Sequence, residues 1–153
     1  MPMVPFVERF RELGARETRS IRVIEGGQAL PSGEYGFFEF YCNEVGCDCR
    51  RVVLQVLRPE TGWSKIWATI AYSWESLDFY RKRGWTGRDL IDVVGPSLDP
   101  FNPQTKYSPA LLDVFRSMIQ ARDYVERLQR HYRMFRKTVE GGRGRTWRRP
   151  KPA

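Results

Sequence analysis

Apolar and polar residues alternate most clearly over residues 34–42, where Phe38, Phe40 and Cys42 share one face and Tyr35, Phe37, Glu39 and Tyr41 the other. A period of two predicts a strand. Residues 51–58 (RVVLQVLR) are β-branched and apolar on both faces, which suits a central strand. Residues 65–74 set Ile66, Ala68, Ile70, Tyr72 and Trp74 on one face and predict a third strand. Upstream, residues 18–24 alternate around Arg22 and predict another. Gly26-Gly27, Pro31-Ser32-Gly33 and Pro59-Glu60-Thr61-Gly62 punctuate the links. Links this short favour an antiparallel meander.

Helical spacing takes over at both ends. Phe6, Phe10 and Leu13 predict a short amphipathic helix ending at Gly14. Residues 76–82 fit one or two helical turns, residues 89–94 are too short to classify, and 96–103 read as a loop rich in breakers. Ser108-Pro109 reads as a helix start, with Ser as the cap and Pro in the first turn. From there a stripe of Leu111, Phe115, Met118, Val125, Leu128, Tyr132, Phe135 and Val139 runs on, with a break near Ala121-Arg122. Gly141-Gly142 is the predicted stop. The expected fold is α+β: a small antiparallel β-meander of three or four strands with a metal-binding hairpin turn, packed on a long C-terminal helix or helix pair. Residues 1–17 form an arm with a short helix, 18–140 a single domain, and 141–153 a disordered basic tail.

At 153 residues, with 41% hydrophobic and 14% aromatic content, the chain can bury a core without staples, and packing is the ordinary role for its rings. No apolar run approaches the ~20 residues of a membrane span, and the N-terminus lacks a signal-peptide core. Three cysteines, an odd number, argue against a disulfide framework. The expectation is a cytoplasmic protein with reduced thiols and no membrane partner. The net charge of +8 is confined to the C-terminal third, where residues 108–139 and 140–153 carry +4 each.

All three cysteines lie in residues 41–51, at the turn between two predicted strands, as Cys42-x4-Cys47-x-Cys49. Zinc takes four tetrahedral ligands with Zn–S near ~2.3 Å, which sets neighbouring sulfurs roughly 3.8 Å apart. Two positions of a flat strand lie too far apart for that, so Cys47 and Cys49 need a bend, and Gly46 permits one. The only histidine, His131, sits at the edge of the helical stripe, about 60° from Leu128. It is a candidate fourth ligand; a half-buried histidine bonded to a carbonyl is the alternative. Asp48, Glu44, a water or a missing ligand are the other choices. A Cys3His zinc site carries a net charge of −1, which Arg50 and Arg51 could offset from beyond the ligands. Structural zinc is the expected cofactor; no metal, an iron–sulfur cluster and redox thiols stay open beside it.

The segments LPSGEYGFFEFYCNEVGCDCRRV, DPFNPQTKYSPALLDVF and YVERLQRHYRMF resemble a group of bacterial proteins in which a Tyr-Cys…Cys-Asp-Cys-Arg-Arg segment precedes a long helix bearing Arg-His-Tyr-Arg. The resemblance covers about residues 18–139. The group has no established activity, so the resemblance implies an architecture and no function. It places Cys42, Cys47, Cys49 and His131 in one architecture.

No phosphate-binding loop, dinucleotide fingerprint or nucleophile elbow is present, and no catalytic residue is assigned. Two readings follow. In the first, the chain is a zinc-stabilised binding module whose partner is nucleic acid or an acidic protein. Arg122, Arg130, Arg133 and Lys137 form a basic stripe opposite the apolar one, and Arg143, Arg145, Arg148 and Arg149 surround Trp147. Arginines interleaved with an aromatic suit phosphates and a stacked base. In the second, it is an enzyme, either a metal-dependent hydrolase with an open metal position or a thiol redox protein. A protein–protein interaction domain is the remaining alternative.

Overall fold

A computed structural model describes residues 3–25 and 29–148, with side chains as far as residue 141. Its organising element is a ten-residue strand, β3 (Gly33–Cys42), flanked by β4 (Arg51–Leu57) on one side. Two short strands share the other side, end to end. β1 (Met3–Pro5) pairs with the last residues of β3, Met3 opposite Cys42, and β2 (Arg19–Val23) pairs with the first, Val23 opposite Gly33. β5 (Ala68–Ser73) and the two-residue β6 (Ser97–Leu98) continue beyond β4. The fold is α+β with one sheet of six antiparallel strands, and β3-β4-β5 is the predicted meander. β1 and β6 are too short to show alternation, so periodicity could not reveal them.

Between β1 and β2 the chain makes two short helices, α1 (Phe6–Arg9) and α2 (Arg11–Glu17). Residues 3–17 pack on the sheet and its core, where Phe6 is 1% exposed. Gly14 is buried where any Cβ would collide with Val7, so this turn needs glycine inside the second helix as much as at its end.

One sheet face is apolar because three strands present matched positions to it. Phe37 lies opposite Val56, Glu39 opposite Leu54, Leu54 opposite Ile70 and Val52 opposite Tyr72. Two C-terminal helices contribute the other half of this core, α5 (Ser108–Met118) through Leu111 and Phe115, α6 (Arg122–Arg148) through Leu128, Phe135 and Val139. Each fully buried side chain of this kind contributes roughly 1.5–3 kcal/mol. The helix break falls at residues 119–121, as the stripe predicts. Ser108 is not the cap of α5: its hydroxyl donates to the Trp67 carbonyl and ties the helix start to the sheet. A smaller cluster of Tyr80, Leu90 and Val93 joins α3 (Leu77–Arg81) to α4 (Gly87–Val94).

The predicted stop at Gly141-Gly142 does not operate, and α6 continues to Arg148, through part of the predicted disordered tail. Glycine ends a helix by adopting positive φ, and Gly141 does not. A glycine inside a helix costs only about 1 kcal/mol relative to alanine.

Candidate metal centre

Cys42 is the last residue of β3, and Cys49 stands two residues before β4. Between them the chain must reverse within a few residues. Gly46 takes φ 79°, and the Cys47 amide donates to the Glu44 carbonyl at 3.3 Å to close the turn. Glycine alone adopts that φ without strain. The bend gathers the three sulfurs within 4.8 Å of one another, with Cys47 Sγ 3.2 Å from Cys49 Sγ. That is the bent arrangement the Cys-x-Cys spacing requires. Cys42 and Cys49 are buried and Cys47 half-buried, and none of the three is in a disulfide.

The loop is held from outside by one face of α6. The Arg136 guanidinium donates to the carbonyls of Cys42 (2.8 Å), Glu44 (3.0 Å) and Cys47 (3.2 Å). It also meets Glu140 Oε2 at 2.7 Å, and the same oxygen accepts from the Gly46 amide at 3.3 Å. Tyr132 donates its hydroxyl to the Cys49 carbonyl at 2.7 Å. Burial pushes that phenol up to about 12, which keeps the donor protonated. Residues 132, 136 and 140 are spaced four apart and so share a helix face. The backbone of a sulfur-bearing loop is thus fixed by three side chains of a single helix.

Burial pushes the Cys42 and Cys49 thiols up, Cys49 the more strongly. The Arg51 cation pulls Cys49 partly back. Neutral, buried thiols are poor nucleophiles. A bound dication reverses this balance, because a coordinating thiol is deprotonated outright.

His131 does not join the cysteines. Among the described residues the cluster able to hold a metal consists of Cys42, Cys47 and Cys49 alone. The imidazole is fully buried elsewhere, with Nδ1 2.7 Å from Glu39 Oε1 and Nε2 2.7 Å from Glu17 Oε1. Phe6 stacks on its ring at 4.1 Å. The cause is Glu39, a carboxylate on the apolar face of β3 that is 3% exposed. A buried polar group must be hydrogen-bonded. His131 and the Tyr41 hydroxyl, 2.7 Å from the same oxygen, supply the pairing, and no imidazole nitrogen is left for a metal.

The other predicted residues separate into groups. Arg50 pairs with Glu75 at 3.2 Å, while Arg51 is the arginine whose charge bears on Cys49. Asp48 pairs with Arg83 at 3.3 Å, and Glu44 is exposed. Arg130 is bound to Glu17 at 2.6 Å, and Arg122 is exposed at the start of α6. Arg133 and Lys137 line a cleft of about 590 Å3 beside the loop, together with Arg50, Trp74, Tyr132 and Arg136. Positions Arg143, Arg145, Trp147 and Arg148 lie on the last turns of α6, and Arg149 falls outside the described residues.

Sequence reasoning missed Arg136, Glu140, Glu39 and Glu17. Two signals were available. Glu39 breaks an otherwise aromatic strand face, and Tyr132, Arg136 and Glu140 repeat at the helical spacing of four. No helix among the described residues is long and apolar enough to cross a membrane. No protein-family model, curated protein or solved structure matches the chain.

Proposed function

We propose that this protein is a zinc-stabilised binding module, in which Cys42, Cys47 and Cys49 hold the ion and the basic surface around α6 takes nucleic acid. The observation that carries the metal reading is the convergence of three sulfurs within 4.8 Å in a loop whose carbonyls are tied down by α6. Soft thiolates suit zinc among the metals that have no redox chemistry. The fourth position of a tetrahedral ion falls to a water or to the exposed Glu44. Zinc there supplies a crosslink between the ends of β3 and β4. Three thiolates against a dication leave a charge of −1, which Arg136 and Arg51 offset.

Two features favour a structural over a catalytic or redox role. The one histidine is enclosed by Glu17 and Glu39, so it is not free to act as a base. The buried cysteines are protonated without metal, which suits ligation better than thiol exchange. For the nucleic-acid part, the support is the concentration of the net charge of +8 in the C-terminal third. Metal analysis of purified protein beside Cys47→Ser tests the first part. One equivalent of zinc, lost on substitution together with part of the stability, is the expected result. Protein without metal, melting as the Cys47→Ser variant does, overturns it.

A further inference from the structure

The cleft beside the cysteine loop has a composition that the metal centre does not account for. Its volume of about 590 Å3 falls inside the roughly 300–1,000 Å3 of sites for small organic groups. α6 forms one wall, with Gln129, Tyr132, Arg133, Arg136, Lys137 and Glu140; Trp74 and Glu75, just past β5, and Arg50, just before β4, form the other, the two carboxylates being paired with Arg136 and Arg50. Two of its cations are already engaged, Arg50 with Glu75 and Arg136 with the loop carbonyls. Arg133 and Lys137 are not. Both are exposed, and neither side chain makes an ion pair or hydrogen bond with another described residue.

Like charges four residues apart on a helix repel each other by a few tenths of a kcal/mol. An anion seated between Arg133 and Lys137 removes that repulsion and gains two charge-assisted contacts. Trp74 supplies the second recognition element. Its ring is half-buried, and it meets Tyr132 edge to face at 5.2 Å, which fixes its orientation. A cleft that pairs an oriented indole with free cations fits a ligand with a flat ring at one end and a phosphate at the other.

We infer that this cleft binds one nucleotide unit of a single-stranded nucleic acid, with the phosphate on Arg133 and Lys137 and the base on Trp74. The inference rests on the nucleic-acid reading above and gives it a site. Single strands are specified because an aromatic side chain in a cleft takes an unpaired base, whereas duplex bases are already stacked. Arg136 belongs both to the cleft wall and to the clamp on the cysteine loop, so the metal centre holds one side of the binding surface in place.

The test is fluorescence anisotropy of labelled single- and double-stranded oligonucleotides across a salt series. It uses the full chain and three variants, Trp74→Ala, Trp74→Phe and the double Arg133→Glu/Lys137→Glu. Arg22→Glu, on β2 and away from the cleft, serves as a charge control. Trp74→Ala should weaken single-strand binding roughly tenfold to a hundredfold, the range for loss of one base stack, and Trp74→Phe should restore most of it. The double variant should flatten the dependence of log affinity on log salt by about 0.7, for the one phosphate no longer neutralised. A free mononucleotide that competes with the same sensitivity to these variants shows that the cleft reads a single unit. Strong binding that is indifferent to all three cleft variants overturns the inference and leaves the nucleic-acid reading standing. No binding of any oligonucleotide at low salt removes both.

Discussion

Replacing Arg136 by alanine removes the clamp by which α6 holds the cysteine loop. The side chain is 10% exposed and donates to three loop carbonyls at 2.8, 3.0 and 3.2 Å. Hydrogen bonds from a charged donor contribute roughly 1.5–3 kcal/mol each when removed singly. These three share one guanidinium, and the Glu44 and Cys47 carbonyls lie where water can replace a lost donor. Only the Cys42 bond is buried. The ion pair with Glu140, whose side chain is 43% exposed, adds less than about 1 kcal/mol. The sum comes to about 3 kcal/mol. For a chain of this size that lowers Tm by about 6–12 °C. Arg136→Lys keeps the charge, but a single ammonium cannot span three carbonyls, so it should recover less than half. The assay is urea unfolding followed by circular dichroism, with and without zinc, together with chelator competition for the metal. Unfolding of Arg136→Ala within about 0.5 kcal/mol of the parent, or full rescue by lysine, refutes the reasoning.

Three further outcomes are expected. His131→Gln should destabilise the fold by about 1–3 kcal/mol, because it breaks the buried hydrogen bond to Glu39, while metal stoichiometry stays unchanged; zinc analysis that finds the metal gone would return His131 to the ligand set. The His131 hydrogen bond, aided by Arg130, holds the Glu17 carboxyl below the usual carboxylate range. A depressed folded pKa contributes stability that is complete above the unfolded value of about 4.3 and is lost as pH falls through the folded one, so Glu17→Gln should cost most at neutral pH and least in acid, flattening the acid limb of a stability–pH curve. Finally, alkylation of metal-free protein followed by mass spectrometry should find Cys42 and Cys49 slower than a free thiol at pH 8, since burial raises both; reaction at the rate of an unfolded control would contradict their burial.

The meander was legible because β3, β4 and β5 each carry a period-two or wholly apolar pattern, and the C-terminal helices because their stripe runs for some thirty positions. β1 and β6 were not, since three and two residues hold no period. The role of residues 3–17 was hidden for a different reason. Phe6 and Glu17 matter through contacts with His131, more than a hundred positions away, and no local pattern encodes such a contact. The cysteine loop was legible as a cluster, down to the bend at Gly46. Its support was not, because Arg136 reads locally as one more cation on a basic helix. The assignment of His131 failed on an unread clue: an acid at position 39 on an aromatic face demands a buried partner, and the only histidine met that demand before any metal could.

The central claim is that three cysteines, without His131, bind a structural ion. X-ray absorption at the zinc edge of the purified protein counts those ligands directly. The account predicts one zinc per chain with three sulfurs near 2.3 Å, one oxygen near 2.0–2.2 Å and no imidazole signature. An absent metal, or a coordination sphere containing histidine, contradicts it.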